Sequence, residues 1–170
     1  MRYVYKGKKI SVRVEEHRFP SGKTARMEIV EFVGAVVILP LIQDQVVLLR
    51  QYRPTVRDWI YEIPAGTLKP GEDPYECARR ELEEETGYRP GRLVKMFEMY
   101  TSPGYSTEKL HAFLALDLQE GTPHLEAGEE ITVAITPMRR VLEMIRKNQI
   151  RDAKTIATIL YYQNFRQGLA

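Results

Sequence analysis

The sequence predicts a mixed α/β fold (α+β in its broad class), with helices on both faces of a β-sheet and a small β-ribbon before it. Two observations carry this prediction. Short runs rich in Val, Ile and Leu recur at strand length through residues 10–135, separated by turn residues. One helical pattern interrupts these runs near residue 80, and two more follow them. Elements in this order enclose a mixed sheet between two layers of helices.

Length and composition restrict the class of protein. A chain of 170 residues, 44% of them hydrophobic, fits one globular domain with a small appendage. The net charge of +2 indicates neither nucleic acid nor an anionic membrane as a partner. The longest apolar run, 35–42, is too short to cross a bilayer, and the N-terminus lacks a hydrophobic signal core. We interpret the single cysteine, Cys77, as a packing residue, and expect a cytoplasmic protein without disulfides.

The N-terminal segment is predicted to form a β-ribbon. Residues 10–18 and 24–31 are extended on either side of 19–23, where Pro, Ser and Gly favour a turn. A two-stranded ribbon is marginal alone in water and needs a surface to pack on. That surface belongs either to its own domain or to a second subunit, and the residues of the segment do not distinguish between these two arrangements. We divide the chain into this segment, 1–32, and a main domain, 33–170.

Six further strands and two C-terminal helices complete the predicted fold. The strands are expected at 35–39, 46–51, 59–63, 93–100, 109–117 and 131–135. Pro137 opens one helix, and a last helix begins at about Asp152. The residues expected to face the core are Met138, Val141, Leu142 and Ile145 in the first helix and Ile156, Ile159 and Leu160 in the second.

The helix near residue 80 has clear start and stop signals. Asp73 is a good N-cap, Pro74 suits the first helical position, and Glu76 supplies the acid of a capping box. Gly87 supplies a left-handed C-cap. The sequence therefore predicts a short, firmly capped helix between Pro74 and Gly87.

Glu81, Glu84 and Glu85 fall on one face of this helix at 100° per residue. Like charges on one face repel one another by roughly 0.2–0.5 kcal/mol per pair when solvated. A hard divalent cation would remove this penalty, because carboxylate oxygens suit Mg²⁺ or Mn²⁺. A solvated acidic helix is the simpler interpretation of most Glu runs. The neighbouring residues must therefore decide between a solvated face and a metal site.

Those neighbours follow the pattern Gly-x5-Glu-x7-Arg-Glu-U-x-Glu-Glu-x-Gly-U, in which U is a bulky apolar residue. The fixed positions are Gly66, Glu72, Arg80, Glu81, Glu84, Glu85 and Gly87. Each matches by chance about once in fifteen, so together they are an accident on the order of one in a hundred million. The pattern resembles the Nudix box, and the chain resembles a Nudix hydrolase. Only Tyr88 departs, at a packing position where the family usually has an aliphatic residue.

The resemblance implies the α/β/α sandwich of the Nudix fold and a metal site on the predicted helix. Glu81 and Glu85, four residues apart, are the first candidates for metal ligands. By resemblance, the backbone carbonyl of Ala65 adds a further ligand. Glu84 is expected to take part in catalysis, as an additional ligand or as an acceptor behind the ligands.

The other box residues are expected to shape the site. By resemblance, Arg80 orients the glutamates through salt bridges, and Glu72 is a structural acid near the loop. Gly66 and Gly87 permit turns that other residues resist, and these turns aim the helix.

A second acidic cluster, 126–130, lies in a loop before the strand at 131–135. Exposed acidic loops are usually only solvated. Many diphosphate-cleaving Nudix enzymes, however, take a metal ligand or the general base from a loop in this place. Glu129 fits both roles best by its distance from the strand, and Glu126 serves as the base if the loop is one residue shorter. The choice between them stays open.

Substrate selection is expected from residues outside the box. Pro103 lies sixteen positions after Gly87, a spacing that resembles ADP-ribose pyrophosphatases. The phrases at 51–54 and 61–66 are also typical of that branch. We therefore expect Pro103, Gly104 and Glu108 to bind substrate.

Phosphate and adenine need different partners. Arg53 suits a phosphate because its guanidinium presents paired donors. Trp59 is a candidate for stacking on adenine, with Tyr52 and Phe19 as alternatives.

The resemblance implies hydrolysis of ADP-ribose to AMP and ribose 5-phosphate with Mg²⁺, Mn²⁺ being a second option. The alternatives are another nucleoside diphosphate sugar or a dinucleotide, such as GDP-mannose or NADH. A non-catalytic Nudix ligand sensor is disfavoured because the box is intact and the chain has no room for a DNA-binding domain. In the ADP-ribose branch a β-rich N-terminal segment packs across a homodimer, so the resemblance also implies a homodimer.

Overall fold

The computed structural model describes residues 1–168, and this part of the chain forms ten strands and three α-helices. The strands are β1 Arg2–Lys6, β2 Ile10–Arg18, β3 Thr24–Phe32, β4 Ala35–Ile42, β5 Gln45–Arg53, β6 Asp58–Glu62, β7 Ala65–Thr67, β8 Tyr88–Tyr100, β9 Lys109–Glu120 and β10 Ile131–Pro137. The helices are α1 Pro74–Thr86, α2 Met138–Arg146 and α3 Ala153–Phe165, and a short 3-10 turn, Arg166–Gly168, follows α3.

A mixed sheet forms the centre of the main domain. Its strand order is β10-β5-β4-β9-β8, with β6 added to β5 and β7 added to β4. β4 and β9 run parallel, and the other neighbours run antiparallel. β4 reads as a continuous apolar run because helices cover both faces of the sheet at this strand. The predicted α/β/α sandwich with a mixed sheet is confirmed.

Two apolar cores lie on opposite faces of the sheet. On one face, Ala78 and Leu82 of α1 pack with Phe113 of β9. On the other face, Val141 of α2 and Ile159 of α3 belong to the larger core. Burying such side chains contributes about 25 cal/mol per Å² of apolar surface. Because α1 is held by its apolar stripe, its neighbouring acidic stripe is fixed in position beside β7.

The N-terminal segment is a three-stranded antiparallel sheet in the order β1-β2-β3, and we had predicted only two of its strands. Every residue from 1 to 33 stays at least partly exposed. The segment joins the main domain mainly at Val30, whose N–H donates to the carbonyl of Tyr105 at 2.8 Å. The carbonyl of Val30 accepts from the N–H of Thr107 at 3.0 Å. The hydroxyl of Thr107 also accepts from the N–H of Phe32 at 3.0 Å. The link therefore consists of hydrogen bonds to the backbone of β3 rather than a shared apolar core.

Some local predictions need correction. Leu160 does not face the core, because its side chain is 40% exposed, whereas its neighbour Ile159 is fully buried. Consecutive helical residues differ by 100°, so both cannot point at the sheet. The strand predicted at 93–100 begins already at Tyr88, and the short strand β7 was not predicted. In residues 1–168, no helix combines the length and the apolar character needed to cross a membrane.

Candidate active site

A cleft of about 780 Å³ lies between the N-terminal sheet, the β7 loop, α1 and the start of α3. Its basic lining residues are Lys8, Lys9, Arg53, Lys69, Arg80 and Lys154. Its acidic lining residues are Glu81, Glu85, Glu108, Glu126, Glu129 and Asp152. The cleft thus brings together parts of the box, the second acidic loop and two of the substrate-binding candidates, which lie far apart in the sequence.

Helix α1 begins and ends as its sequence predicts. The side chain of Asp73 accepts a hydrogen bond from the N–H of Tyr75 at 2.8 Å, and Pro74 is the first helical residue. At the other end Gly87 is left-handed, with φ 75°, and its N–H donates to the carbonyl of Glu83 at 2.8 Å. A Cβ at Gly87 would also crowd Pro123. Both ends of the helix are therefore fixed, and with them the direction of its glutamates.

Gly66 makes room for Glu81. A Cβ built on Gly66 would overlap the carboxyl group of Glu81. The carboxyl group is partly buried, and burial raises its pKa, opposed by Arg80 and reinforced by the charges of Glu84 and Glu129. The absence of a side chain at Gly66 therefore lets the Glu81 carboxylate lie against the backbone of β7.

Glu85 is the most deeply buried acid of the box, with 5% of its surface exposed. Its Oε2 accepts a hydrogen bond from the N–H of Ala65 at 3.0 Å. Burial raises the pKa of Glu85 to about 8, and the nearby charges of Glu81 and Glu129 act in the same direction. A carboxylate in these surroundings lacks compensation for its negative charge.

Arg80 holds the acids around it. Its Nε donates to Glu72 at 2.9 Å, and its Nη1 lies 2.6 Å from Glu81 and 2.9 Å from Glu84. The hydrogen bond from Arg80 lowers the pKa of Glu72 to about 2. Arg80 thus forms salt bridges with three glutamates of the box, and the roles expected of Arg80 and Glu72 in shaping the site stay predictions. Glu84 pairs with Arg80 but does not itself line the cleft.

The acidic loop before β10 reaches the cleft through both of its candidate bases. The N–H of Glu126 donates to Oε2 of Glu129 at 2.9 Å, so the loop folds back on itself. The charge of Glu129 contributes to the raised pKa of both Glu81 and Glu85, which places this carboxylate beside the box. Glu129 is partly buried and Glu126 is exposed. Both acids line the cleft, and Glu129 is the one whose charge acts on both box glutamates.

Arg53 is anchored by a buried acid. Its Nε and Nη2 donate to the two oxygens of Glu62 at 2.6 and 2.8 Å, and only 1% of the Glu62 side chain is exposed. The ammonium group of Lys154, near the start of α3, binds the same carboxylate. Burial acts to raise the pKa of Glu62, but the hydrogen bond from Arg53 and the two cations together hold it below its ordinary value.

The other substrate-binding candidates fall at different distances from the cleft. Glu108 lines it, and its carboxylate accepts from the hydroxyl of Thr101 at 2.6 Å. Pro103 and Gly104 are exposed at the tip of the same loop and do not line the cleft. Trp59 also lies outside, packed edge-on against Tyr52.

Sequence reasoning missed several residues of the cleft. Glu62 occurs in a phrase recognised as typical of the branch, yet the pattern did not reveal its carboxylate as the anchor of Arg53. Lys154 and Asp152 are contributed by the start of α3, a hundred residues from Arg53 along the chain. Lys8 and Lys9 come from the turn between β1 and β2. No local sequence pattern identifies the two lysines of the turn or the two residues at the start of α3 as cleft residues, because only the tertiary fold brings them there.

Comparison with known proteins gives the class that this fold and site define. Residues 31–159 match the model of the NUDIX domain. The chain therefore belongs to the Nudix family.

The chain also resembles individual members of the family. It is 38% identical over 163 residues to the ADP-ribose pyrophosphatase of Bacillus subtilis, an alignment that covers 94% of this chain and 88% of the relative. It is 34% identical, with the same coverage, to the methanol dehydrogenase activator of Bacillus methanolicus. It is 38% identical over 141 residues to the GDP-mannose pyrophosphatase of Cronobacter sakazakii, covering 76% of this chain and 72% of the relative. The prediction of a Nudix pyrophosphohydrolase related to the ADP-ribose pyrophosphatase branch is confirmed.

A solved structure supports the fold independently. A crystal structure of an ADP compounds hydrolase superposes with a TM-score of 0.85 and covers 98% of this chain and 91% of its own. Its sequence identity is 22%, so the likeness shows the fold alone.

Nudix hydrolases generally use a divalent cation, so the residues of the cleft can be compared with the ligands that such a cation needs. Within residues 1–168, no three or more His, Cys, Asp or Glu side chains are already arranged to hold a metal ion. Arg80 holds the Glu81 carboxylate in an ion pair. The donor set nevertheless suits a hard cation, since the carboxylates of Glu81 and Glu85 meet the backbone of β7. The raised pKa of Glu85 means that its negative charge is poorly compensated, and a bound cation would compensate that charge.

Proposed function

We propose that this protein hydrolyses the diphosphate of ADP-ribose to AMP and ribose 5-phosphate, using Mg²⁺ or, as a second option, Mn²⁺. One observation carries the proposal: an intact box places Glu81 and Glu85 against β7 inside a cleft that also contains cations. The relation to an ADP-ribose pyrophosphatase along 94% of the chain supports this choice of substrate.

The metal site is proposed to consist of Glu81, Glu85 and the carbonyl of Ala65, with Glu129 as a further ligand. A bound cation would neutralise phosphate oxygens and lower the pKa of a water molecule. Arg80 restrains the Glu81 carboxylate and is itself fixed by Glu72.

The general base is proposed to be Glu129, with Glu126 as the alternative. A base must lie within hydrogen-bonding reach of the attacking water, and Glu129 is the acid of the loop whose charge acts on both box glutamates. Glu84 pairs with Arg80 outside the cleft, so we propose that it acts by holding Arg80 rather than on the water.

The substrate is proposed to bind cleft residues outside the box. We propose that Arg53, held by Glu62, donates to a phosphate oxygen. Glu108, which lines the cleft, is proposed to accept hydrogen bonds from ribose hydroxyls, and Pro103 and Gly104 to shape the loop that carries it. Stacking of Trp59 on adenine stays a prediction, since this side chain lies outside the cleft in the single chain.

GDP-mannose is the main alternative substrate. The observation that favours it is the 38% identity to a GDP-mannose pyrophosphatase. That relation covers 76% of the chain, against 94% for the ADP-ribose pyrophosphatase, so we place it second. The alternative that NADH is the substrate rests on family resemblance alone. The alternative of a non-catalytic ligand sensor is disfavoured by the intact box.

The N-terminal sheet is proposed to form a homodimer. Val4, Tyr5 and Ile10 are exposed by 50%, 56% and 37%, and a small sheet of this kind needs an apolar face covered for stability. A second copy of the chain would supply that cover. A cytoplasmic location is proposed from the single, buried cysteine.

The test is hydrolysis of a substrate panel in ¹⁸O-labelled water with Mg²⁺. The panel contains ADP-ribose, GDP-mannose and NADH, and products are identified by mass. We expect AMP and ribose 5-phosphate from ADP-ribose at the highest kcat/KM, with one ¹⁸O in one product. A higher kcat/KM for GDP-mannose would replace the proposed substrate, and no turnover of any member would refute the proposed function.

A further inference from the structure

The acidic loop before β10 starts beside the end of helix α1. Strands β8 and β9 pair as far as Tyr88 and Glu120, so β9 ends next to the residue that follows the C-cap of α1. The pairing continues for one more step, because the N–H of Gly121 donates to the carbonyl of Gly87 at 2.6 Å. The chain therefore enters the loop at the C-terminal end of the helix that carries two of the proposed metal ligands.

Two contacts dock the loop on the last turn of α1. The N–H of His124 donates to the carbonyl of Glu84 at 2.9 Å. A Cβ built on Gly87 would lie 2.9 Å from Cδ of Pro123, so the ring of Pro123 occupies space that only glycine leaves free. The last carbonyls of a helix lack partners within the helix, and the loop supplies one to Glu84. Gly87 thus caps α1 and also receives the loop.

His124 lies two residues before the group that orients Glu129. The N–H of Glu126 donates to Oε2 of Glu129 at 2.9 Å, and the N–H of Glu129 donates to the carbonyl of Glu126 at 3.1 Å. At the far end of the loop, the carbonyl of Glu130 accepts from the N–H of Tyr52 at 3.0 Å. Strand β5 therefore fixes the backbone after Glu129, whereas the direction of the Glu129 side chain depends on Glu126 and on the docked residues before it.

The Glu129 carboxylate needs such a restraint. Its charge raises the pKa of Glu81 and Glu85, so the three acids repel one another. Residues 121–130 form no helix or strand that would resist this repulsion. The contacts with α1 and the hydrogen bond from Glu126 therefore hold the side chain of Glu129 beside the box.

We propose that Pro123 and His124 are positioning residues for Glu129. Docked on the last turn of α1, they place the N–H of Glu126, which in turn directs the Glu129 carboxylate towards the box. One helix thereby carries two metal ligands and sets the direction of the acid from the loop. This inference rests on the proposed function for the role of Glu129 as the general base.

The first test follows amide hydrogen exchange by NMR in metal-free protein without substrate. In the parent, the amides of His124 and Glu126 should exchange more slowly than in an unstructured peptide. Pro123→Ala removes the ring atoms that contact α1 and frees the backbone, so exchange at these two amides should become about tenfold faster or more. The amide of Leu82, inside α1, should keep its rate.

Thr122→Ala is the matched control in the same loop. Thr122 is exposed, so its substitution should change exchange at His124 by less than about twofold. Equal rates at His124 and Glu126 in the parent and in Pro123→Ala, or no protection of these amides in the parent, would overturn the inference. Acceleration of Leu82 by the same factor would also overturn it, because the substitution would then open the whole helix rather than release the loop.

Steady-state kinetics on ADP-ribose with Mg²⁺ test the link to Glu129. Pro123→Ala should lower kcat about tenfold and leave KM within about twofold, since a displaced base affects the chemical step rather than uniform binding. Thr122→Ala should keep both constants within about twofold of the parent. In the Glu129→Gln background, Pro123→Ala should change kcat by less than about twofold, because residues that act through one group are not additive.

The two backgrounds separate positioning from a general effect on the protein. An equal loss of kcat from Pro123→Ala with Glu129 present and with Glu129→Gln would overturn the positioning role. If exchange at Glu126 depends on Pro123 while the parent hydrolyses no ADP-ribose, the placement of Glu129 by the docked loop stands and the proposed function fails.

Discussion

Helix α1 and the N-terminal sheet differ in what holds them in place. Helix α1 buries Ala78 and Leu82 completely and is capped at both ends by its own residues. The N-terminal sheet joins the main domain through backbone hydrogen bonds at Val30, and every residue from 1 to 33 stays at least partly exposed. One region is fixed from within the chain, and the other has no apolar cover in a single chain.

This difference separates chemistry from assembly. The box glutamates are positioned by α1 and β7, so substitutions there should change turnover while the assembly stays intact. The N-terminal sheet touches the cleft only at its edge, through Lys8, Lys9, Phe32 and Val33. Substitutions on its exposed face should change assembly first. The experiments below test this separation, beginning with the largest expected effect.

Replacing Glu85 by Gln should abolish most turnover without unfolding the protein. Because a bound cation supplies several kcal/mol to the transition state, we expect kcat/KM for ADP-ribose to fall by about a thousandfold. The amide can still accept the hydrogen bond from Ala65. Activity within tenfold of the parent, measured with Mg²⁺, would contradict the metal assignment.

The same substitution should change the pH dependence of stability in metal-free protein. The pKa of Glu85 is raised to about 8 in the folded state, above its value of about 4.3 in an unfolded chain. The protonated acid is therefore favoured by folding, and stability is lost as pH rises from about 4.3 to 8. Thermal melts with a chelator should show a smaller decline for Glu85→Gln than for the parent over this range. Mg²⁺ should reverse the decline in the parent alone.

The two loop acids should differ in their effect on turnover. A general base contributes about 10²–10⁴-fold, so Glu129→Gln should lower kcat by at least about a hundredfold. Glu126→Gln should lower it by less than about tenfold, because the Glu126 side chain is exposed and only the backbone N–H of this residue, which the substitution keeps, bonds to Glu129. Measuring kcat of both variants under identical conditions identifies the general base. A larger loss of kcat in Glu126→Gln than in Glu129→Gln would assign the base to Glu126 instead.

Gly66→Ala tests whether β7 positions the Glu81 carboxylate. The added methyl group would overlap that carboxyl group and force it to move. A displacement of about 1 Å in an active site can cost about a hundredfold in rate, and we expect a loss of this size in kcat.

Gly71→Ala, in the loop between β7 and α1, is its matched control. Gly71 has φ 77° but open space around its Cβ position, so alanine there should cost stability of about 1 kcal/mol and spare kcat. Equal losses of kcat in both variants would mean that loop strain, not displacement of Glu81, is responsible.

These cases also show how far the sequence could predict the site. Signals that act within a few residues were read correctly, such as Asp73 and Gly87 as the caps of α1. Glu62 and Lys154 were missed because their partners come from distant elements that only the fold brings together. The error at Leu160 has a related cause, since the apolar pair Ile159–Leu160 does not reveal which member faces the sheet. Strand β1 was missed because its charged and aromatic residues show little alternation.

Charges on the exposed face of the N-terminal sheet should separate the proposed dimer. We expect sedimentation of the parent at twice the chain mass of 19.7 kDa. Tyr5 pairs with Val12, two residues from Ile10, so Tyr5 and Ile10 lie on one face of the sheet. Tyr5→Glu combined with Ile10→Glu should raise the dissociation constant about a hundredfold or more, because each buried unpaired charge costs more than about 1–3 kcal/mol. The kcat for ADP-ribose should change much less than in the Glu85 variant. Lys23→Glu, in the exposed turn between β2 and β3, is the control, and a monomeric parent at micromolar concentration would refute the proposal.

The smallest expected effect is at Cys77, whose thiol reports on the stability of α1. Burial, together with the charges of Glu72 and Glu81, raises the pKa of this thiol to about 12. At pH 8 the thiolate is therefore scarce, and labelling by a thiol reagent should be about a thousandfold slower than that of a free cysteine from ionisation alone. Ser21→Cys adds an exposed thiol in the turn of the N-terminal sheet, so one sample should show a fast and a slow phase of equal amplitude. If both phases were fast while the far-UV spectrum stayed native, α1 would open readily, and the rigidity that we attribute to this helix would be wrong.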